Sequence, residues 1–204
     1  MKKIILLLVL FLGFCSLSHA EVGVGLWGGV IGRKSNLKEV SNDFNSYPNL
    51  FGVEFLWEYN AEIDALGIKI GYAQMGKTEG GGNYAYGSWN TKIETYEIPI
   101  TLYYKYKLTP ALHLIGGIGV GIFQFDYETT ESYYSYYGWQ THTWSNDKAV
   151  FVPHVNFAAE WRINRYFALG IDGKYNFGKK KELEFGETMQ IRGLQIGAIG
   201  RFYF

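Results

Sequence analysis

The sequence predicts an all-β fold: an eight-stranded antiparallel up-and-down transmembrane β-barrel after a cleaved signal peptide. Three observations carry this expectation. Apolar side chains recur at every second position in eight segments, the alternate positions hold glycine and a balanced set of charges, and the first residues form an export signal. Of 204 residues, 48% are hydrophobic and 18% aromatic but only 19% charged, with a formal net charge of zero. Such a chain is not a disordered tail, and it lacks the positive charge that holds proteins to phosphate, so no nucleic-acid partner is expected. A mean hydropathy of -0.08 excludes a bundle of apolar membrane helices.

The leader comes first. Lys2 and Lys3 precede an apolar core from Ile4 to Cys15, and Ser18-His19-Ala20 places small residues before a cut after Ala20. Residues 1–20 are therefore read as the signal peptide and 21–204 as one barrel domain. Cys15 is the only cysteine, so no thiol chemistry survives processing.

The strands follow in order. The first carries Val22, Val24, Leu26 and Val30 on its apolar face, with Trp27 on the other; the second has Phe51, Val53, Phe55, Trp57 and Tyr59. Leu66, Ile68, Ile70 and Tyr72 mark the third, and Ile98, Ile100, Leu102, Tyr104 and Tyr106 the fourth. The fifth and sixth show Leu112, Leu114, Ile118, Val120 and Ile122, then Phe151, Val155, Phe157, Trp161 and Ile163. Phe167, Leu169, Ile171, Tyr175 and Phe177 give the seventh, and Leu194, Ile196, Phe202 and Phe204 the last. Pro99 and Pro153 each remove one ladder hydrogen bond, which predicts a bulge or widened pairing at both. Short turns near 60–64, 107–110 and 164–166 alternate with long polar segments at 33–50, 76–90, 126–148 and 178–190, read as loops at the opposite end.

Volume decides which face is inside. An eight-stranded barrel has an interior only just wide enough for side chains or one small ligand, so the large apolar set must face lipid. The other face suits a narrow lumen, because glycines such as Gly52, Gly67, Gly117 and Gly119 leave room for long charged neighbours. Its acids, Glu54, Glu58, Glu97, Glu160 and Asp172, match its bases, Lys69, Lys105, Arg162, Lys174 and Arg201. Sealed charges must be paired, which predicts a salt-bridge network. Lys69 is expected between the levels of Glu54 and Glu58, with Glu160 beside Arg162 and Asp172 beside Lys174. Trp57, Tyr59, Tyr104, Tyr106, Trp161 and Phe167 gather at the short-turn end as an interfacial girdle, and hydrocarbon tolerates no open sheet edge.

The chain resembles the small bacterial outer-membrane barrels, the OmpA-like and OmpX-like outer membrane protein beta-barrel group. The likeness rests on the leader, on Tyr96-Glu97-Ile98-Pro99-Ile100-Thr101-Leu102-Tyr103-Tyr104-Lys105-Tyr106, and on the terminal Arg201-Phe202-Tyr203-Phe204. It implies the outer membrane of a Gram-negative cell, contact with its lipids and lipopolysaccharide, and Phe202 and Phe204 as the signal read by outer-membrane assembly machinery. It also implies a choice of roles: adhesive or structural, a small porin-like pore, or a lipid A modifying enzyme.

Gly23-Val24-Gly25-Leu26-Trp27-Gly28 matches a dinucleotide fingerprint, but no strand precedes it and no helix follows. The scattered His113, His142 and His154 suggest no metal site, and no cofactor is expected. His142-Thr143-Trp144-Ser145 is the one histidine–serine pair a lipid A enzyme would use, and it lacks a placed acid, so the protein is read as non-enzymatic. Tyr133, Tyr134, Tyr136, Tyr137, Trp139 and Trp144 crowd the third long segment. Such rings suit adhesion to a host protein or glycan, although packing of the loops is the blander use. Five acids and five bases across a narrow lumen argue for a plug rather than a pore.

Overall fold

The computed structural model describes residues 21–32, 44–47, 49–59, 64–178, 180–182 and 188–204; the leader and its cleavage site at Ala20 lie outside them. Every regular element described is a strand: β1 (Glu21–Gly32), β2 (Phe44–Tyr47), β3 (Asn49–Tyr59), β4 (Ala65–Tyr84), β5 (Gly87–Lys107), β6 (Leu112–Ser135), β7 (Gly138–Arg162), β8 (Phe167–Asn176), β9 (Lys180–Glu182), β10 (Thr188–Gln190) and β11 (Gly193–Tyr203). Eight of them, β1, β3, β4, β5, β6, β7, β8 and β11, pair antiparallel in sequence order. The barrel closes where β1 meets β11, with Val24 opposite Phe202 and Val30 opposite Ile196.

The period-two pattern fixes which way each strand faces. Leu26, Phe55, Ile70, Leu102, Ile118, Phe157, Ile171 and Phe202 all look outward, one from each barrel strand. Trp27 turns inward as its phase requires. A Cβ on Gly52 would lie 2.4 Å from the Trp27 indole nitrogen, so the glycine opposite makes room for the ring.

Two of the expected loops are strands instead. β4 and β5 stay paired until Tyr84 faces Gly87, and β6 and β7 until Ser135 faces Gly138. The segments 76–90 and 126–148 are thus mostly long hairpins with two-residue turns, Ala85-Tyr86 and Tyr136-Tyr137. Thr, Tyr, Trp and Ser along them favour extended backbone without an apolar face, so an apolar period could not mark them. Gly138, at φ +98°, supplies the left-handed residue that closes the Tyr136-Tyr137 turn.

The prolines act differently from one another. Pro99 keeps register with β6 opposite Gly121, while no pairing with β4 is made between Ile70–Ile100 and Ala73–Glu97. The register shift itself lies further out, between Gln74 and Lys77, around Gly76 at φ +96°. Pro153 stands where the β8 pairing ends: His154 faces Asn176, and the Phe177 amide donates to the Pro153 carbonyl at 2.9 Å.

The outer face of β6 marks the membrane's extent. From Leu112 to Ile122 it is apolar, matching the roughly 9–11 residues a tilted spanning strand needs. Beyond that it reads Gln124, Asp126, Glu128, Thr130 and Ser132. The hairpins therefore project past the lipid as a sheet of β4, β5, β6 and β7, with β2 paired onto β4 between Lys77 and Gly80.

Candidate functional site

The lumen is built from alternate residues of all eight strands. Arg201 of β11 is its hub: Nε donates to Glu54 at 2.7 Å, one terminal nitrogen to Glu160 at 2.9 Å and the other to Asp172 at 3.2 Å. These acids come from β3, β7 and β8. Towards the short-turn end, Lys105 pairs with Glu58, which also accepts from the Tyr103 hydroxyl at 2.8 Å, and the Tyr203 hydroxyl donates to Glu160 at 2.6 Å. Towards the hairpin end, Lys174 and Gln195 both donate to Glu97, at 2.5 and 3.1 Å, and Thr101 bonds His154 at 2.9 Å.

The ten charges named from the sequence all lie on this inner face, but their partners differ in part from expectation. Lys69 does face Leu56, between the levels of Glu54 and Glu58, and reaches Glu54 at 3.6 Å. Its shorter contact is to Asp172 at 2.9 Å. Asp172 does not pair with Lys174, and Arg162 approaches Glu160 only at 3.8 Å while it binds Glu21 through two nitrogens at 2.9 and 2.6 Å. Spacing along one strand or between adjacent strands indicates near neighbours; contacts across the lumen are not legible that way. Glu21 escapes the sequence reading, although the inward phase of Gly23 and Gly25 extends to it.

Above the charges the lumen turns apolar. Leu50, Ala73, Met75, Ile93, Phe123, Phe125, Tyr127, Val152 and Ile191 form a buried cluster, with Trp27, Trp89 and Val150 packed on it. Among the charges, the cavity lined by Trp27, Glu54, Lys69, Asn156, Asp172 and Gln195 measures about 20 Å³, room for about one water. The lumen is filled by ion pairs below and by rings above.

The aromatic set of the third segment is divided between two faces. Tyr134, Tyr136, Tyr137 and Trp139 are 59%, 97%, 87% and 69% exposed. Tyr134 meets Trp139 edge-on at 5.9 Å, and Tyr136 meets Tyr137 at 5.6 Å. Tyr133 and Trp144 lie on the inner face instead, where Tyr133 stacks on His142 at 5.8 Å. Below the tip the outer face is a hydroxyl ladder, with Ser132 bonded to Thr141 at 3.0 Å and Thr130 to Thr143 at 3.1 Å. His142 and Ser145 stand on opposite faces of β7, being three residues apart in an extended strand. Nearer the lipid, Lys92 sits 2.6 Å from Glu94 and, with the Tyr96 hydroxyl, holds its carboxyl below the usual value.

No family profile and no curated protein matches the chain in sequence. Solved structures do match in fold. A major outer membrane protein from Thermus thermophilus superposes with a TM-score of 0.56 at 12% identity, over 91% of this chain and 99% of that one. Ail, the attachment invasion locus protein of Yersinia pestis, gives 0.50 at 11% identity, over 91% and 97%. The closed barrel, its apolar belt and its ionic lumen define a small eight-stranded transmembrane β-barrel, the fold seen in these outer-membrane proteins.

Proposed function

We propose that this barrel is a non-enzymatic surface protein that uses its projecting sheet for adhesion. The exposed quartet Tyr134, Tyr136, Tyr137 and Trp139 carries the reading: four large rings held in water at the end of a fully paired hairpin. Tyr and Trp rings have few rotatable bonds and lose little entropy on contact, which suits recognition of a host protein or glycan. In this reading the short turns face the periplasm, the hairpins face the medium, lipids and lipopolysaccharide surround the belt, and assembly machinery reads the outward Phe202 and Phe204. The name of Ail, an attachment invasion locus protein, supports the same direction. Separation of His142 from Ser145 supports the absence of lipid A chemistry, and the filled lumen supports a plug over a pore.

Deletion of residues 134–139 tests it. Cells carrying the shortened protein are expected to lose attachment to host matrix while the barrel still folds, as its strand content by circular dichroism would show. Unchanged attachment, sustained single-channel conductance from the pure protein, or an altered lipid A mass on expression would each overturn a part of the reading.

A further inference from the structure

At the short-turn mouth of the barrel lies an open recess of about 710 Å³, lined by Asp64, Lys107, Leu108, His113, Arg162 and Arg165. That size falls within the roughly 300–1,000 Å³ of ordinary ligand sites. Hydrogen bonds between the turns hold its frame together. The Arg162 amide donates to the Ala111 carbonyl at 2.7 Å, joining the turn after β7 to the turn after β5. The Lys107 amide and the Tyr104 hydroxyl both donate to Asp64, at 3.2 and 2.7 Å, which joins the start of β4 to the end of β5. Within the turns, the Leu112 amide donates to the Thr109 hydroxyl at 2.9 Å, and the Phe167 amide to the Asn164 side chain at 2.9 Å. The lining is thus positioned before any ligand arrives, which lowers the entropy cost of binding.

Charge selects an anion. Three bases line the recess against one acid, Asp64, and both oxygens of that acid already accept hydrogen bonds from the frame. Arg162 spends its terminal nitrogens on Glu21, so Lys107 and Arg165 supply the remaining positive charge. Arg165 is exposed in the turn after β7, with its guanidinium 4.4 Å from the centre of the Tyr166 ring. A phosphate offers oxygens that accept from both side chains, and the planar fork of an arginine can meet two of them at once.

Location selects a lipid. Tyr106 and Trp161, outward rings of the girdle, are the chain neighbours of Lys107 and Arg162. The cations therefore sit within one residue's rise, about 3.3 Å, of the rings that mark headgroup level. Leu108, 52% exposed, forms a lip between those rings and the recess, and Leu114 faces Tyr106 across β5 and β6 to continue the apolar track. A phosphate carried on acyl chains meets both the track and the cations; a dissolved anion meets the cations alone.

We infer that the short-turn mouth binds the phosphate headgroup of an anionic phospholipid, with Arg165 and Lys107 on the phosphate and the acyl chains against Tyr106 and Trp161. The site does not rest on the adhesive reading, because it lies at the opposite end of the barrel from the aromatic tip.

The test titrates the full protein in a nonionic detergent with a short-chain phosphatidylglycerol and reads bound lipid by native mass spectrometry. Phosphatidylcholine with the same chains and inorganic phosphate are the comparison ligands. Phosphatidylglycerol is expected to bind at least about fivefold more tightly than phosphatidylcholine, and Arg165→Gln and Lys107→Gln should each weaken it about fivefold, the worth of roughly one cation beside an anionic lipid. Lys92→Gln removes the same charge from the hairpin end and should leave binding unchanged. Deleting 134–139 should also leave it intact, which separates this inference from the adhesive one. Equal affinity for the two lipids, or equal weakening by Lys92→Gln and Arg165→Gln, overturns the site. Inorganic phosphate binding as tightly as phosphatidylglycerol overturns a lipid as its occupant.

Discussion

The membrane-spanning part and the projecting sheet are made from the same strands, yet their polarity is reversed. Along β6, Ile118 and Val120 face lipid while His113 and Gly117 face the lumen; a few residues on, Phe123, Phe125 and Tyr127 face inward while Asp126 and Glu128 face water. Both halves obey one rule. Apolar groups go where water is not, and the side on which water is missing changes as the strand leaves the bilayer. In lipid the inside must be polar yet fully paired; in water the sheet buries rings on its inner face as a soluble protein would. The inner apolar cluster lies directly over the charge network, so it screens the ion pairs from the medium above.

Breaking the lower half should have the largest effect. Arg201→Ala leaves Glu54, Glu160 and Asp172 without their shared cation, and the expected cost is about 3–5 kcal/mol, read from urea unfolding in lipid vesicles. A loss below about 1 kcal/mol would show that the lumen is wet and the contrast between halves unreal. Phe125→Ala probes the upper half and should cost about 3–5 kcal/mol through the cavity left in the cap, by the same unfolding measurement.

Two substitutions on one face of β6 sharpen the comparison further. Ile118→Arg puts a cation in the hydrocarbon and should cost about 2–4 kcal/mol, whereas Thr130→Arg, further along the same face, should stay within about 0.5 kcal/mol. Equal costs would mean that the bilayer does not end between these residues. Smallest is the pH response of the surface pair. Glu94 has its carboxyl lowered from 4.5 by Lys92, so its stabilising contribution is present above that value and fades as the pH falls through the lowered one. At an exposed site this is worth under about 1 kcal/mol and should shrink with salt, as an NMR titration of Glu94 would record.

Legibility in the sequence follows this same divide. The outward residues of the spanning part can be read because lipid on one side and packed charge on the other impose a strict two-residue period, as Phe51 to Tyr59 illustrates. The outer ends of the hairpins escape because beyond Tyr127 the faces of β6 lose their contrast, with Glu128, Thr130, Ser132 and Tyr134 outside against Thr129, Glu131 and Tyr133 inside. Equal numbers of acids and bases show that the lumen charges must pair, but not that Arg201 gathers three of them. Tyr133 and Trp144 fall in with the exposed rings in the sequence because composition counts rings and not the face on which each one stands.

The sequence by itself determined the strand period, the side that meets lipid and the charge balance inside, since these follow from alternation along single strands. Only the tertiary structure decided the ionic partners, the apolar cap and the pairing of β2 with β4. Each depends on where the closed barrel brings distant strands: Arg201 and Glu54 meet although 147 positions separate them, a relation set by registers around the barrel and not by spacing along any strand.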